Sequence, residues 1–115
     1  MSRSDDDRVA DILEAADELA AVVEVGRDAF AESLLHRRAA ERLLEIIGEA
    51  STALTDEFKA SHPEVAWRDV GALRILLAHH YHRIDLDQVW QIATGAVPDL
   101  ARHLRNEEGG DFLAK

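Results

Sequence analysis

The densest run of reactive side chains is Arg74-Ile75-Leu76-Leu77-Ala78-His79-His80-Tyr81-His82-Arg83. It holds three imidazoles, two guanidinium groups and the only tyrosine of the protein. A histidine titrates near neutrality, so it can take a proton from a hydroxyl or return one to a leaving oxygen, a contribution of about 10²–10⁴-fold. An arginine fork holds a phosphate and stabilises charge developing on it. Together these groups suit RNA cleavage, in which a ribose 2′-hydroxyl attacks the neighbouring phosphate, and neither role needs a metal.

Other readings of the same run stand beside this one. Cationic and polar side chains at a helix C-terminus are favoured by the helix dipole and often form only a solvated end. His79 and His82 could share a metal, but no acid or cysteine nearby completes a ligand set. Ser33, Ser51 and Ser61 lie in no context that would make a serine nucleophile. On a helix, Tyr81 falls within about 20° of Arg74 and roughly 10 Å further along the axis. His79 lies about 140° round from Arg74, so the two converge only in a cleft that wraps the helix. A partner helix or a second subunit can supply that cleft.

Helices must position this run. Ser4 with Asp7 forms a capping pattern ahead of Val9, Ile12, Leu13, Ala16, Leu19, Ala20 and Val23, the stripe of an amphipathic helix that ends near Gly26. Phe30, Leu34, Leu43, Leu44, Ile47, Ala50, Leu54 and Phe58 predict one long second helix from Asp28 to Lys59, with Gly48 at a close helix crossing. Pro63 marks a loop. Asp69 is the expected cap of a third helix reaching His82, and Asp85 or Asp87 opens a fourth. Gly95 and Pro98 predict a break or kink, followed by a short terminal helix and a frayed end. The expectation is an all-α, up-down bundle of four to five helices, with one domain over residues 1–106 and a flexible tail over 107–115.

Composition bounds the rest. The chain has 115 residues, 47% hydrophobic and 31% charged, enough for one core and too apolar for disorder. It has no cysteine, which excludes disulfides, thiolate metal sites and a cysteine nucleophile, and fits a reducing compartment. No apolar run approaches the roughly 18 residues of a membrane span. The acidic start is unlike a signal peptide, so a soluble cytoplasmic protein is expected. The net charge of −10 is uneven: residues 1–32 carry −7, residues 84–115 carry −3, and residues 33–83 balance while holding five of the six histidines. Broad, salt-driven coating of nucleic acid is unexpected, whereas a small cationic pocket in the middle third is compatible.

Arg74, four residues, His79, one residue, Tyr81 resembles the R-x4-H-x-Y motif of HepT-like toxins in the HEPN superfamily. The flanks agree: Ile47-Gly48-Glu49-Ala50, His62-Pro63-Glu64-Val65-Ala66-Trp67, Ile84-Asp85 and Val89-Trp90. The likeness covers roughly residues 28 to 104. It implies a HEPN-type bundle that pairs as a homodimer, with Arg74 and His79 of both copies lining a shared cleft. It also implies a metal-independent endoribonuclease, the toxin of a toxin–antitoxin pair, with no cofactor. The family's antitoxin is a minimal nucleotidyltransferase that silences the toxin by transferring AMP to the motif tyrosine, here Tyr81. Arg74 would stabilise the phosphate, His79 would be the acid or base, and Arg68, His80, His82 and Arg83 are candidate RNA contacts. The family commonly has Asn after the motif arginine. Here Ile75 stands there, and it cannot hydrogen-bond. The alternative expectation is a non-catalytic HEPN partner that binds substrate for a nucleotidyltransferase.

Overall fold

Three hydroxyl side chains decide where helices begin. The structure is a computed structural model that describes the backbone of residues 4–78 and 86–113 and the side chains of residues 4–73 and 86–105. Four longer helices, α1 (Asp5–Val23), α3 (Leu34–Ala53), α5 (Trp67–Ala78) and α7 (Val97–Leu113), alternate with short α2 (Arg27–Glu32), α4 (Asp56–Ala60) and α6 (Leu86–Gln91). No strand occurs among the described residues.

At α1 the expected capping box is present. Ser4 Oγ accepts from the Asp7 amide at 3.1 Å, and Asp7 Oδ2 accepts from the Ser4 amide at 3.3 Å. Such a cap contributes about 1 kcal/mol. The single long second helix, by contrast, is three. Ser33 adopts φ −104°, ψ 107°, and its Oγ accepts from the His36 amide, starting α3 afresh. Thr55 is likewise extended, and its Oγ1 accepts from the Phe58 amide to start α4. These hydroxyls offer the backbone a partner that competes with the helical ladder. Thr55 is also held from afar: its hydroxyl and amide donate to the Asp5 carboxylate at 2.6 and 3.0 Å. Those two bonds hold the Asp5 carboxyl below its usual pKa. They also fasten the start of α1 to the end of α3, so the two helices run antiparallel.

The core lies where α1, α3 and α7 meet. Ile12, Leu19, Phe30, Leu44, Ile47 and Leu104 are fully enclosed. Of the apolar stripe expected on α1, Ala20 is exposed and Ala15 takes its place inside. Gly48 is buried, and α5 packs back along α3 from its C-terminal end. A close approach is seen at Gly71, where a Cβ would stand 2.9 Å from Thr52 Oγ1. That hydroxyl is itself anchored on the Gly48 carbonyl at 2.9 Å and cannot move freely. Gly71→Ala is therefore expected to cost about 1–2 kcal/mol in urea unfolding, and Thr52→Ala to relieve much of that cost in the double variant.

α5 begins at Trp67, two residues before the expected cap. The Ala66 carbonyl already accepts from the amides of Asp69 and Val70, which leaves Asp69 inside the first turn. At Gly95 and Pro98 the chain does not break. Ile92–Ala96 forms a single π-helical turn in which the Val97 amide reaches the Ile92 carbonyl, and the helix continues as α7. Pro98 has no amide to donate and its ring crowds the carbonyl four residues back, and a widened turn accommodates both. α7 is longer than expected, since its backbone runs past Gly109-Gly110 to Leu113. No described helix is long and apolar enough to cross a membrane.

Candidate active site

Two devices hold the ends of the reactive run. The first is an aromatic cluster under the start of α5. The Trp67 Nε1–H donates to the carbonyls of Lys59 and His62 at 3.2 and 3.1 Å, tying α5 to the preceding loop. His62 is buried and stacks on Phe58 with ring centroids 4.5 Å apart. Its Nδ1 lies 3.1 Å from the Phe58 carbonyl, which can only accept, so Nδ1 carries the proton. The loop around Pro63 is thus a packed brace that sets the direction of α5. Position 74 then falls in the second turn of α5.

The second device follows the run. Arg27 of α2 forms an ion pair with Asp87 in the first turn of α6, and the enclosed Phe30 ring packs on Trp90 at 5.3 Å between centroids. α2 therefore straps α6 to the body of the protein. The Val89-Trp90 pair noticed in the sequence supplies this anchorage.

Between the devices lies the reactive segment. The Arg74 backbone belongs to α5, while the Arg74 side chain and all of His79, His80, Tyr81, His82 and Arg83 lie outside the described residues. Arg68 is described and exposed in the first turn of α5. Six residues separate it from position 74, which puts it about 120° round the helix and about 9 Å back along the axis. Within one copy, α5 does not bring Arg68 and position 74 to one face.

Two features went unseen in the sequence. The first is a groove of about 610 Å³ between α5, the π turn and α7, with an apolar floor that includes Ile47, Leu73 and Leu100. Glu64, Asp69 and Asp99 line it, and no arginine or lysine is among its described lining residues. Three carboxylates on the described lining disfavour a phosphate backbone there. The second is Arg37 on α3, whose Nε is buried and has no hydrogen-bond partner among the described residues. Its neighbours Arg38 and Arg42 are exposed and paired to Glu41 and Glu45 at 3.0 and 2.6 Å. His36-Arg37-Arg38 reads in sequence as an ordinary solvated cluster, and nothing local distinguishes its middle member.

Comparison with known proteins fits this arrangement. The family model described as Ribonuclease HepT-like matches residues 12–107. A probable ribonuclease HepT of Thermococcus cleftensis is 35% identical over 104 residues, covering 87% of this chain and 92% of that protein. A putative RNase of Methanocaldococcus jannaschii is 36% identical over 98 residues, covering 82% and 87%. No solved structure matches. An all-α bundle, the Arg74–His79–Tyr81 spacing and a family match over most of the chain converge on one assignment: the chain belongs to the HepT-like ribonuclease family.

Proposed function

We propose that the chain is an endoribonuclease toxin whose active groups are Arg74 and His79 and whose activity is silenced by AMP transfer to Tyr81. The observation that carries this reading is the ordered Arg74-x4-His79-x-Tyr81 set inside a family match that spans residues 12–107. In the reaction His79 takes the proton of a ribose 2′-hydroxyl and the 2′-oxygen attacks the adjacent phosphorus. The bond to the 5′-oxygen breaks, that oxygen takes up a proton from a His79 imidazolium of the paired copies, and a 2′,3′-cyclic phosphate remains. Arg74 holds the non-bridging oxygens as their charge grows. Arg68, His80, His82 and Arg83 contribute charge along the bound strand.

A homodimer suits this chemistry. Helical spacing would set Arg74 and His79 about 140° apart, and a twofold axis that faces two copies of the run would bring an arginine and a histidine to one phosphate. Transfer of AMP to the Tyr81 phenol places a phosphate and its bulk where the RNA phosphate binds, so inhibition follows from charge and volume. The partner is a minimal nucleotidyltransferase acting in the cytoplasm. A second reading rests on Ile75: an apolar residue after the motif arginine favours a binding-only partner of that transferase. Arg74→Ala separates the two, since it removes growth arrest only in a toxin that cleaves.

Co-expression with a minimal nucleotidyltransferase of the antitoxin type tests the regulatory half. The intact mass of this chain is expected to rise by whole AMP units, and Tyr81→Phe to abolish the adduct and free the toxin from its antitoxin with the fold unchanged. An adduct that survives in Tyr81→Phe would move the modification to another residue. A purified, unmodified chain that leaves single-stranded RNA intact would remove the endonuclease reading.

A further inference from the structure

Two helical sides face each other across the acidic groove with no helix packed between them. On one wall Val70 and Leu73 of α5 follow Ala66 at steps of three and four residues. On the other wall Gln88, Ile92, Ala96, Leu100 and His103 do the same along the continuous rod of α6, the π turn and α7. Such steps mark one side of a helix. α5 packs along α3 and α7 along α1, so the two sides flank Ile47 of α3 with about 610 Å³ between them. An amphipathic helix normally covers its apolar side with another element. Here Val65, Val70 and Ile92 stay half-buried, and Ala66, Ala72 and Ala96 stand exposed on the lips.

Helical walls use their backbone hydrogen bonds internally, so an extended strand laid in the groove would find no ladder to join, whereas a helix brings its own. From Gln88 to His103 the rod offers a wall of about 20 Å, room for apolar anchors one and two turns apart. The small alanines on both lips let a helix approach closely. Charge then narrows the choice of helix. Asp99 already pairs with Arg102, but Glu64 and Asp69 have no ion-pair partner among the described residues. The occupant therefore needs cations beside its apolar anchors. The chain's own end is of the wrong sign, with Glu107, Glu108 and Asp111 against Lys115. A second copy meeting groove to groove would bring the carboxylates of both copies together. The exposed Leu34 points about 140° away from Ile47 on α3, so copies joined through Leu34 and the groove would add head to tail without closing as a pair.

We propose that this groove is the docking site for a basic amphipathic helix of a partner protein. The apolar side of that helix covers Ile47, Val70, Ile92 and Leu100, and its lysines or arginines meet Glu64 and Asp69 on one lip and Asp99 on the other. The proposal is independent of the chemistry of the reactive run. It gives the acidic balance of the protein a local use, since the same carboxylates that disfavour a nucleic acid attract a cationic chain.

The probe is a labelled synthetic helix with leucine at i, i+3, i+4 and i+7 and lysine elsewhere, beside a control in which glutamate replaces lysine. Binding to the full chain is read by fluorescence anisotropy at physiological salt. The lysine peptide is expected to bind and the glutamate peptide not to. Ala72→Trp, which plugs the groove without changing charge, is expected to weaken binding at least about tenfold. Ala96→Trp on the opposite lip gives a second plug should the first fail to fold. Glu64→Lys with Asp69→Lys is expected to weaken binding as strongly, whereas Glu14→Lys with Glu18→Lys, the same charge change on exposed positions of α1, should alter it less than about twofold. Equal losses from the two charge pairs, or affinity untouched by either plug, would reduce the binding to net charge and overturn the proposal. It would equally fall if the lysine peptide failed to bind. Sedimentation showing a self-association that the plugs dissolve would make a second copy the occupant and overturn it too.

Discussion

His79→Ala is expected to lose RNA cleavage by about 10²–10⁴-fold while its far-UV circular dichroism and unfolding midpoint stay close to those of the parent. On the proposed mechanism the loss would be that of the proton acceptor for the 2′-hydroxyl, which no described residue would replace. His36 is tied to Ser33, with its Nδ1 at 2.6 Å from the hydroxyl, and His62 is buried in the brace beneath α5. His103 has its Nδ1 at 2.8 Å from the Asp99 carbonyl and lines the acidic groove. Each of these three imidazoles has a local partner in the fold. His80→Ala and His82→Ala are expected to cost far less, because neither occupies the motif position. Equal losses from all three substitutions would point to general charge rather than a specific proton transfer. An unfolded His79→Ala would make His79 a structural residue.

The largest expected effect on stability is that of Phe30→Ala, about 3–5 kcal/mol in denaturant unfolding. Phe30 is fully enclosed and is the buried residue of α2, where its ring meets Trp90. A domain of this size has roughly 5–15 kcal/mol to lose, so the variant should sit near the edge of folding at room temperature. Its consequence reaches the chemistry as well. α2 holds α6 through Phe30 and the Arg27–Asp87 ion pair, and only Phe30 contributes much burial. The ion pair is exposed on both sides and is worth under about 1 kcal/mol. Arg27→Ala should therefore leave the midpoint nearly unchanged while Phe30→Ala lowers it steeply. Similar losses from both would show that the strap depends on charge.

What could be foreseen in the sequence followed the range of the interaction. The Ser4–Asp7 capping box spans three residues and was readable at once. The break at Thr55 was not, because the carboxylate that holds it comes from Asp5, fifty residues earlier. The start of α5 at Trp67 depends on an indole reaching back to Lys59 and His62, so Asp69 was the better cap by type and the wrong one by position. Pro98 signalled a disturbance correctly, but a missing amide does not say whether the chain will break or widen. The candidate site divides in the same way. Arg74, His79 and Tyr81 lie within eight residues, and their spacing alone marks them. The buried Nε of Arg37, on another helix, follows from packing between elements, which its local sequence does not announce.

The π turn at Ile92–Ala96 has a mechanical meaning. Removing one residue from it would leave an unbroken α-helix, yet every side chain downstream would swing by about 100°. Leu100 and Leu104 would leave the core, and Arg105 would lose its pairing with Asp17 of α1. The extra residue thus works as a phase adjuster between two lengths of one rod. The upstream length packs on α2 through Trp90, and the downstream length pairs with α1 through Arg105. One residue more or less in the π turn would thus re-aim the face of α7 that meets α1 while leaving the Phe30–Trp90 contact where it is.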